Sequence, residues 1–150
     1  MSKSILTNRK AYRDYEVLES IESGIELKGS EVKSLRAGRI NLDDSFARID
    51  KGQAHLYNAH ISHYTEASYL NVDPDRIRRL LLHKQQIERI NGKLTQRGLT
   101  LIPLKIYFND RGFVKLELAL CKGKKLYDKR STIKRRETDL EMRRALKNRR

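Results

Sequence analysis

Three histidines, His55, His60 and His63, fall within nine residues of one another, and the acidic pair Asp43-Asp44 stands shortly before them. Imidazoles and carboxylates are the groups that hold zinc or move protons, so an enzyme would be sought here first. The spacing argues against it. Intervals of five and three residues along a strand do not converge three rings on one point, and no Cys or Glu completes a ligand set. Asp43-Asp44 follows Asn41-Leu42 just ahead of a strand, which turn chemistry explains. The chain has neither a phosphate-cradling Gly loop nor a Ser or Cys nucleophile motif. Its single cysteine, Cys121, cannot form an internal disulfide; it reads as a small apolar filler at a strand end and suits a reducing, cytoplasmic setting. The expectation is no catalysis, no metal and no cofactor.

Binding chemistry is better represented. Tyr12 and Tyr15 lie beside Arg9, Lys10 and Arg13, and Tyr127 lies between Lys125 and Lys129. Lysine and arginine on phosphates with bases stacked on tyrosine are the ingredients of RNA recognition. The competing reading for Tyr12 and Tyr15 is that they are partly buried strand-edge residues among solvated charges. The totals favour a polyanionic partner: 33 Lys and Arg against 19 Asp and Glu give a net charge of +14. Residues 122–150 hold 13 basic and 4 acidic residues, so most of the excess sits in the last fifth of the chain.

That segment begins GKKLYDKRSTIKRR, Gly123 to Arg136, and offers almost nothing to bury. From Asp128 to Arg150 the sparse apolar residues, Ile133, Leu140, Met142, Ala145 and Leu146, could form a narrow helical stripe. They cannot offset the roughly 1–2 kcal/mol per residue of backbone ordering. The expectation is a tail that is disordered alone and ordered against phosphates, where charge neutralisation supplies what burial cannot.

The elements that must position these groups are mainly strands. Tyr15 to Leu27 alternates, with Ser23-Gly24 reading as a bulge or bend. GSEVKSLRAG reads as a short helix capped by Ser30 and closed by Gly38. Ser45–Ile49 and Gln53–Ile61 flank Asp50-Lys51-Gly52, a hairpin connection. Asp73-Pro74 is expected to start a long helix whose stripe is Ile77, Leu80, Leu81, Ile87, Ile90 and Leu94, with Gly98 at its end and Asn91-Gly92 a possible break. TLIPLKIYF and FVKLELALC, joined by Asn109-Asp110-Arg111-Gly112, read as a hairpin with one buried face: Ile102, Leu104, Ile106 and Phe108 opposite Val114, Leu116, Leu118 and Leu120. Five strands with a helix between the third and fourth predict a mainly β, OB-type barrel with accessory helices. Residues 1–126 are expected to form the RNA-binding domain and 127–150 the basic tail.

The blocks GSEVKSLRAGRINLDDSFARI, RRLLLHKQQI, GLTLIPLKIYF and KGKKLYDKRSTIKRR, in that order over nearly the whole chain, resemble the small protein B (SmpB) family, the SsrA-binding proteins of bacteria. The resemblance implies an OB-type barrel that binds the tRNA-like domain of tmRNA and carries it to ribosomes stalled without a stop codon, in trans-translation. It implies that the tail enters the empty mRNA channel, against small-subunit rRNA, and becomes helical there. It also implies elongation factor Tu as an indirect partner, through charged tmRNA. Carried over position by position, Asn8, Glu22 and Leu81 match residues of the family's RNA-binding surface, with Leu81 expected to act through packing on the helix stripe. Glu22, which cannot attract phosphate, is expected to accept hydrogen bonds or position a base. Lys122, Lys124 and Lys125 fall in the family's KGKK run, and Asp128-Lys129-Arg130 in its DKR motif. Position 127 is often His in relatives and is Tyr here, which preserves stacking but not an imidazole proton.

The expected RNA-binding set is therefore Asn8, Arg9, Lys10, Tyr12, Glu22, Leu81, Lys122, Lys124 and Lys125. The expected ribosome-binding set is Tyr127, Asp128, Lys129, Arg130, Lys134, Arg135, Arg136, Arg143, Arg144 and Lys147. Two rival classes remain. A general single-strand RNA-binding OB module, or a ribosome-associated RNA chaperone, would bind tRNA and tmRNA alike. A cationic protein anchored on membranes by its tail is disfavoured by the tail's few large apolar residues. No apolar run approaches the roughly 20 residues of a membrane span, and the N-terminal MSKSILTNRKAYRDYE lacks the apolar core and small-residue cleavage site of a secretory signal.

Overall fold

A closed antiparallel barrel organises the chain. The structure, a computed structural model, describes residues 3–64, 72–124, 137–138 and 140–146, with residues 96 and 97 described by backbone only. The first element, β1 (Lys3–Thr7), leads into α1 (Arg9–Asp14), which Asn8 caps by accepting the Ala11 amide at 3.2 Å. The long strand β2 (Tyr15–Ile25) is followed by α2 (Gly29–Arg36), the short β3 (Ile40–Asn41), and the hairpin of β4 (Phe46–Asp50) and β5 (Gln53–Tyr57). Then come β6 (His60–Ile61), β7 (Arg78–Leu81), α3 (Lys84–Arg97), β8 (Thr100–Phe108) and β9 (Val114–Gly123).

The strands run β8-β4-β5-β7-β2-β9, and β9 returns to pair with β8, so the circuit closes through six strands. Closure removes the open edges that a flat sheet would expose. β1 lies outside the circuit against β8, and β3 pairs with β6 separately. The two hairpins stand where turn chemistry puts them. Asp50 pairs with Gln53 across Lys51 and Gly52, both at positive φ (51° and 74°), the two-residue turn whose twist suits strands.

The barrel has six strands rather than the expected five, because part of the expected long helix is β7. Arg78 and Leu80 are buried while Arg79 and Leu81 are exposed, a period of two. Leu80 pairs with Ala54 of β5 and Ile25 of β2, filling the gap between them. Asp73 does not cap a helix; its carboxylate accepts the Asp75 amide at 2.9 Å in a turn. The helix α3 begins only at Lys84, where the Gln86 side chain accepts the His83 amide at 3.1 Å, and it runs unbroken through Gly92 to a left-handed Gly98. Likewise α2 starts one residue before the expected Ser30 cap: Glu31 accepts the Lys28 amide at 2.9 Å.

The last hairpin is buried on both faces at the end away from its turn, not on one. Leu101, Ile106, Leu116, Leu118 and Leu120 fill the barrel with Leu35, Leu56, Leu80 and Ile90. Ile102, Leu104, Ala119 and Cys121 face outward beneath Ala11 of α1, forming a second small core. A bulge between Pro103 and Lys105 reverses the faces, so Ile102 and Leu104 serve one core and Ile106 the other. A matching irregularity between Val17 and Glu19 does the same in β2; the expected bulge at Gly24 is instead the point where β2 pairs with β7 as well as β9.

Candidate nucleic-acid interface

The cationic residues of α1 and those at the end of β9, separated by more than a hundred residues of chain, meet on one rim of the barrel. The Lys124 amide donates to the Asp14 carbonyl at 3.0 Å, and its ammonium donates to the Tyr12 carbonyl at 3.3 Å. Lys122 stands beside Glu16 in register, and both Lys122 and Arg9 are exposed. Tyr12 is 40% exposed, whereas Tyr15 packs on the second core, so only the former offers a stacking face. Lys10 pairs with Asp44 at 2.7 Å, and that hydrogen bond raises its pKa. The pair is open to solvent, where such contacts are weak and a phosphate can replace the carboxylate.

Asn8 lies under this rim. It is 2% exposed, and its amide donates to the carbonyls of Leu42 at 3.2 Å and Pro103 at 2.9 Å while its oxygen caps α1. Every polar atom of its side chain is thereby occupied within the fold. Asn8 sets the position of Arg9, Lys10 and Tyr12 and presents nothing itself.

Glu22 and Leu81 come together at a second place, a groove of about 920 Å³ between β2, β7 and the start of α3, also lined by Arg79, His83, Lys84 and Lys115. Leu81 is on a strand, not on the helix stripe, and is half exposed. Gly24 faces it in register; a Cβ at Gly24 would stand 3.1 Å from the Leu81 Cβ, so glycine permits this close approach. Glu22 is exposed and accepts a hydrogen bond from the Tyr107 hydroxyl, whose pKa is raised by partial burial and by the Glu22 carboxylate. Sequence reading missed Tyr107. Its only sequence signal is the alternation that puts Lys105 and Tyr107 on the outer face of β8.

Lys125, Tyr127, Asp128, Lys129, Arg130, Lys134, Arg135, Arg136 and Lys147 lie outside the described residues. Arg143 and Arg144 sit in a helical stretch, residues 140–146, that is exposed throughout. The three histidines have separate surroundings: His60 pairs with Asp75 at 2.9 Å, His63 with the Val72 carbonyl at 3.0 Å, and His55 stands on β5. Among the described residues no group of three His, Cys, Asp or Glu could hold a metal ion. Burial pushes the Cys121 thiol up to about 11, which leaves it protonated and unreactive.

Positive charge, a stacking face and a carboxylate acceptor around a closed barrel define an RNA-binding protein of the OB type. A family model described as SmpB protein matches residues 5–148. The chain is similar to the SsrA-binding protein of Caldicellulosiruptor bescii, with 59% identity over 145 residues, covering 97% of this chain and 91% of that one. It is similar to that of Syntrophobacter fumaroxidans at 57% over 149 residues, covering 99% and 92%. A solved chain described under "tmRNA-SmpB: a journey to the center of the bacterial ribosome" superposes with a TM-score of 0.69 at 56% identity, covering 81% of this chain and 85% of that one. The chain belongs to the SmpB family.

Proposed function

We propose that this chain binds tmRNA (the SsrA RNA) and delivers it to stalled ribosomes in trans-translation. The observation that carries the reading is near-complete coverage, at 59% identity, by a relative named for binding SsrA. The geometry is consistent with it: two sites on one barrel, one cationic and one built around a carboxylate and an apolar side chain. The cationic rim of α1 and β9 takes phosphates of the tRNA-like domain. In the groove, the Glu22 carboxylate accepts hydrogen bonds from a base or sugar hydroxyl while Leu81 packs beside it. The tail, from residue 127 onward, probes the mRNA channel of the small subunit and contacts its rRNA. Elongation factor Tu joins through charged tmRNA, the setting is the cytoplasm, and the protein acts by binding, without catalysis. No helix among the described residues is long and apolar enough to cross a membrane.

The test is equilibrium binding to the tRNA-like domain of tmRNA, with ordinary tRNA as competitor, at fixed near-physiological salt. A strong preference for the tmRNA domain is expected. Equal binding would reduce the chain to a general RNA-binding OB module.

A further inference from the structure

The outer face of β4, β5 and β7 connects the two sites just described. Phe46 of β4 faces Tyr57 of β5 in register, and their rings stack with centroids 5.3 Å apart and planes 7° from parallel. The Arg48 guanidinium lies over both, 5.0 Å from the Phe46 ring centre and 5.9 Å from that of Tyr57. In the next row Arg48 pairs with His55, and His55 with Arg79 of β7. These three side chains therefore stand in line across three adjacent strands, with Arg48 and Arg79 about 10 Å apart at two strand spacings. Both arginines are exposed. Asp50 at the hairpin end and Glu26 beside Arg79 are the nearest carboxylates by register. No carboxylate among the described residues lies within ion-pair distance of either arginine.

Some other cations of the described surface are paired. Lys10, Arg89, Lys93 and Lys105 each have a carboxylate partner. Two exposed guanidinium groups with no carboxylate partner leave this face net positive, which favours a phosphate. Arg48 is also ordered by the aromatic pair beneath it, so it spends little rotamer freedom on taking a ligand. At one end the row opens on the groove of Glu22 and Leu81, which Arg79 lines. At the other it opens on a cleft of about 690 Å³ lined by Lys10, Phe46 and Arg48 beside α1.

We propose that the outer face of β4, β5 and β7 is a track for an unpaired stretch of RNA running between the two sites. Arg48, held flat by Phe46 and Tyr57, stacks against a base or grips a phosphate with its in-plane N–H donors, and Arg79 takes a second phosphate. The inference rests on the RNA-binding reading and adds residues to it. Neither arginine belongs to the set expected from the family resemblance.

Its test compares the full-length chain with Arg48→Gln/Arg79→Gln, Arg48→Lys and Phe46→Leu, titrated with the tRNA-like domain at several salt concentrations. The arginine changes are at exposed side chains, Phe46→Leu keeps an apolar side chain where Phe46 packs on the second core, and thermal melts check that the barrel persists. The double variant should bind about tenfold or more weakly, with its log K against log salt slope reduced by roughly 0.7 for each phosphate left without its arginine, so by about 0.7 where Arg48 stacks on a base and about 1.4 where both arginines grip phosphates. Arg48→Lys and Phe46→Leu should weaken binding by about fivefold or more while leaving the slope unchanged, because charge is kept and the held plane is lost. Wild-type affinity and slope in the double variant would overturn the track. The comparison is independent of whether the wild type prefers tmRNA to tRNA, so failure of the functional reading and failure of the track are separately visible.

Discussion

Arg78 is fully buried, and its charge is met by one residue far away in sequence. Glu31 of α2 accepts its Nε–H at 2.6 Å, while the Ala59, Arg76 and Pro74 carbonyls accept its other donors at 2.6, 3.2 and 2.9 Å. Arg76 also donates to Glu31, at 3.1 and 3.2 Å from its Nε. Burial alone would raise the Glu31 carboxyl; hydrogen bonds from Arg76, the Lys28 amide and Arg78 outweigh it and hold the pKa below its ordinary 4.5. A carboxyl depressed in the folded state contributes stability that is fully present above its unfolded pKa and is lost as pH falls through the folded one. The wild-type chain should therefore lose denaturant stability progressively below about pH 4.5 as this carboxylate protonates. Glu31→Gln should cost about 3–5 kcal/mol at neutral pH, because it leaves the Arg78 charge buried without its counter-ion. Urea unfolding at pH 7 and pH 4 reads both: the variant should be less stable and less pH-dependent, and an unchanged midpoint at pH 7 would show that the pair does not hold α2 to β7.

At the scale of elements, α3 carries an avoidable cost. Gly92 lies inside the continuous helix, is exposed, and a Cβ built there meets nothing within 4 Å. Gly92→Ala should stabilise the chain by about 0.5–1 kcal/mol by reducing the freedom of the unfolded backbone. A lower thermal midpoint would mean that the helix bends there. The hairpins β4–β5 and β8–β9 were legible in the sequence because their turn residues and alternation are local. β7 was not. Ile77, Leu80 and Leu81 share helical spacing with the residues of α3, and what makes them a strand is pairing with β5 and β2 and the Arg78–Glu31 bond across 47 residues. The bulge after Pro103 was invisible for a related reason: α1 covers the outer face of β8 and β9, so apolar residues are needed on both sides and alternation stops reporting direction. The same holds for the site. Lysines and tyrosines could be picked out by type, but only the fold joins Lys124 to α1, places Leu81 opposite Gly24 and shows Asn8 as a buried cap.

For the whole molecule, the barrel and the tail obey different energetics. The barrel is held by buried Leu, Ile and Ala side chains around a closed hydrogen-bonded circuit. The helical stretch at 140–146 leaves Leu140, Met142 and Leu146 at 51%, 61% and 68% exposed, so apolar burial against the barrel contributes little to holding it. Residues 127–150 carry 10 basic and 4 acidic residues. Their large favourable term is charge neutralisation, which an RNA-walled channel supplies and water does not. On the proposed reading, a channel already filled by message leaves the tail no volume to enter, and an empty one is an unoccupied anionic tube whose charge the tail neutralises. Removing residues 127–150 should therefore spare the preference for the tRNA-like domain, since the rim of α1 and β9 and the groove at Glu22 remain. It should abolish the tagging of products from stalled ribosomes. Both are measurable on one preparation, by competitive binding and by a reconstituted stalled-translation reaction. A truncated chain that still supports tagging would assign sensing of the empty channel to the barrel, and one that loses its RNA preference would place tmRNA recognition in the tail.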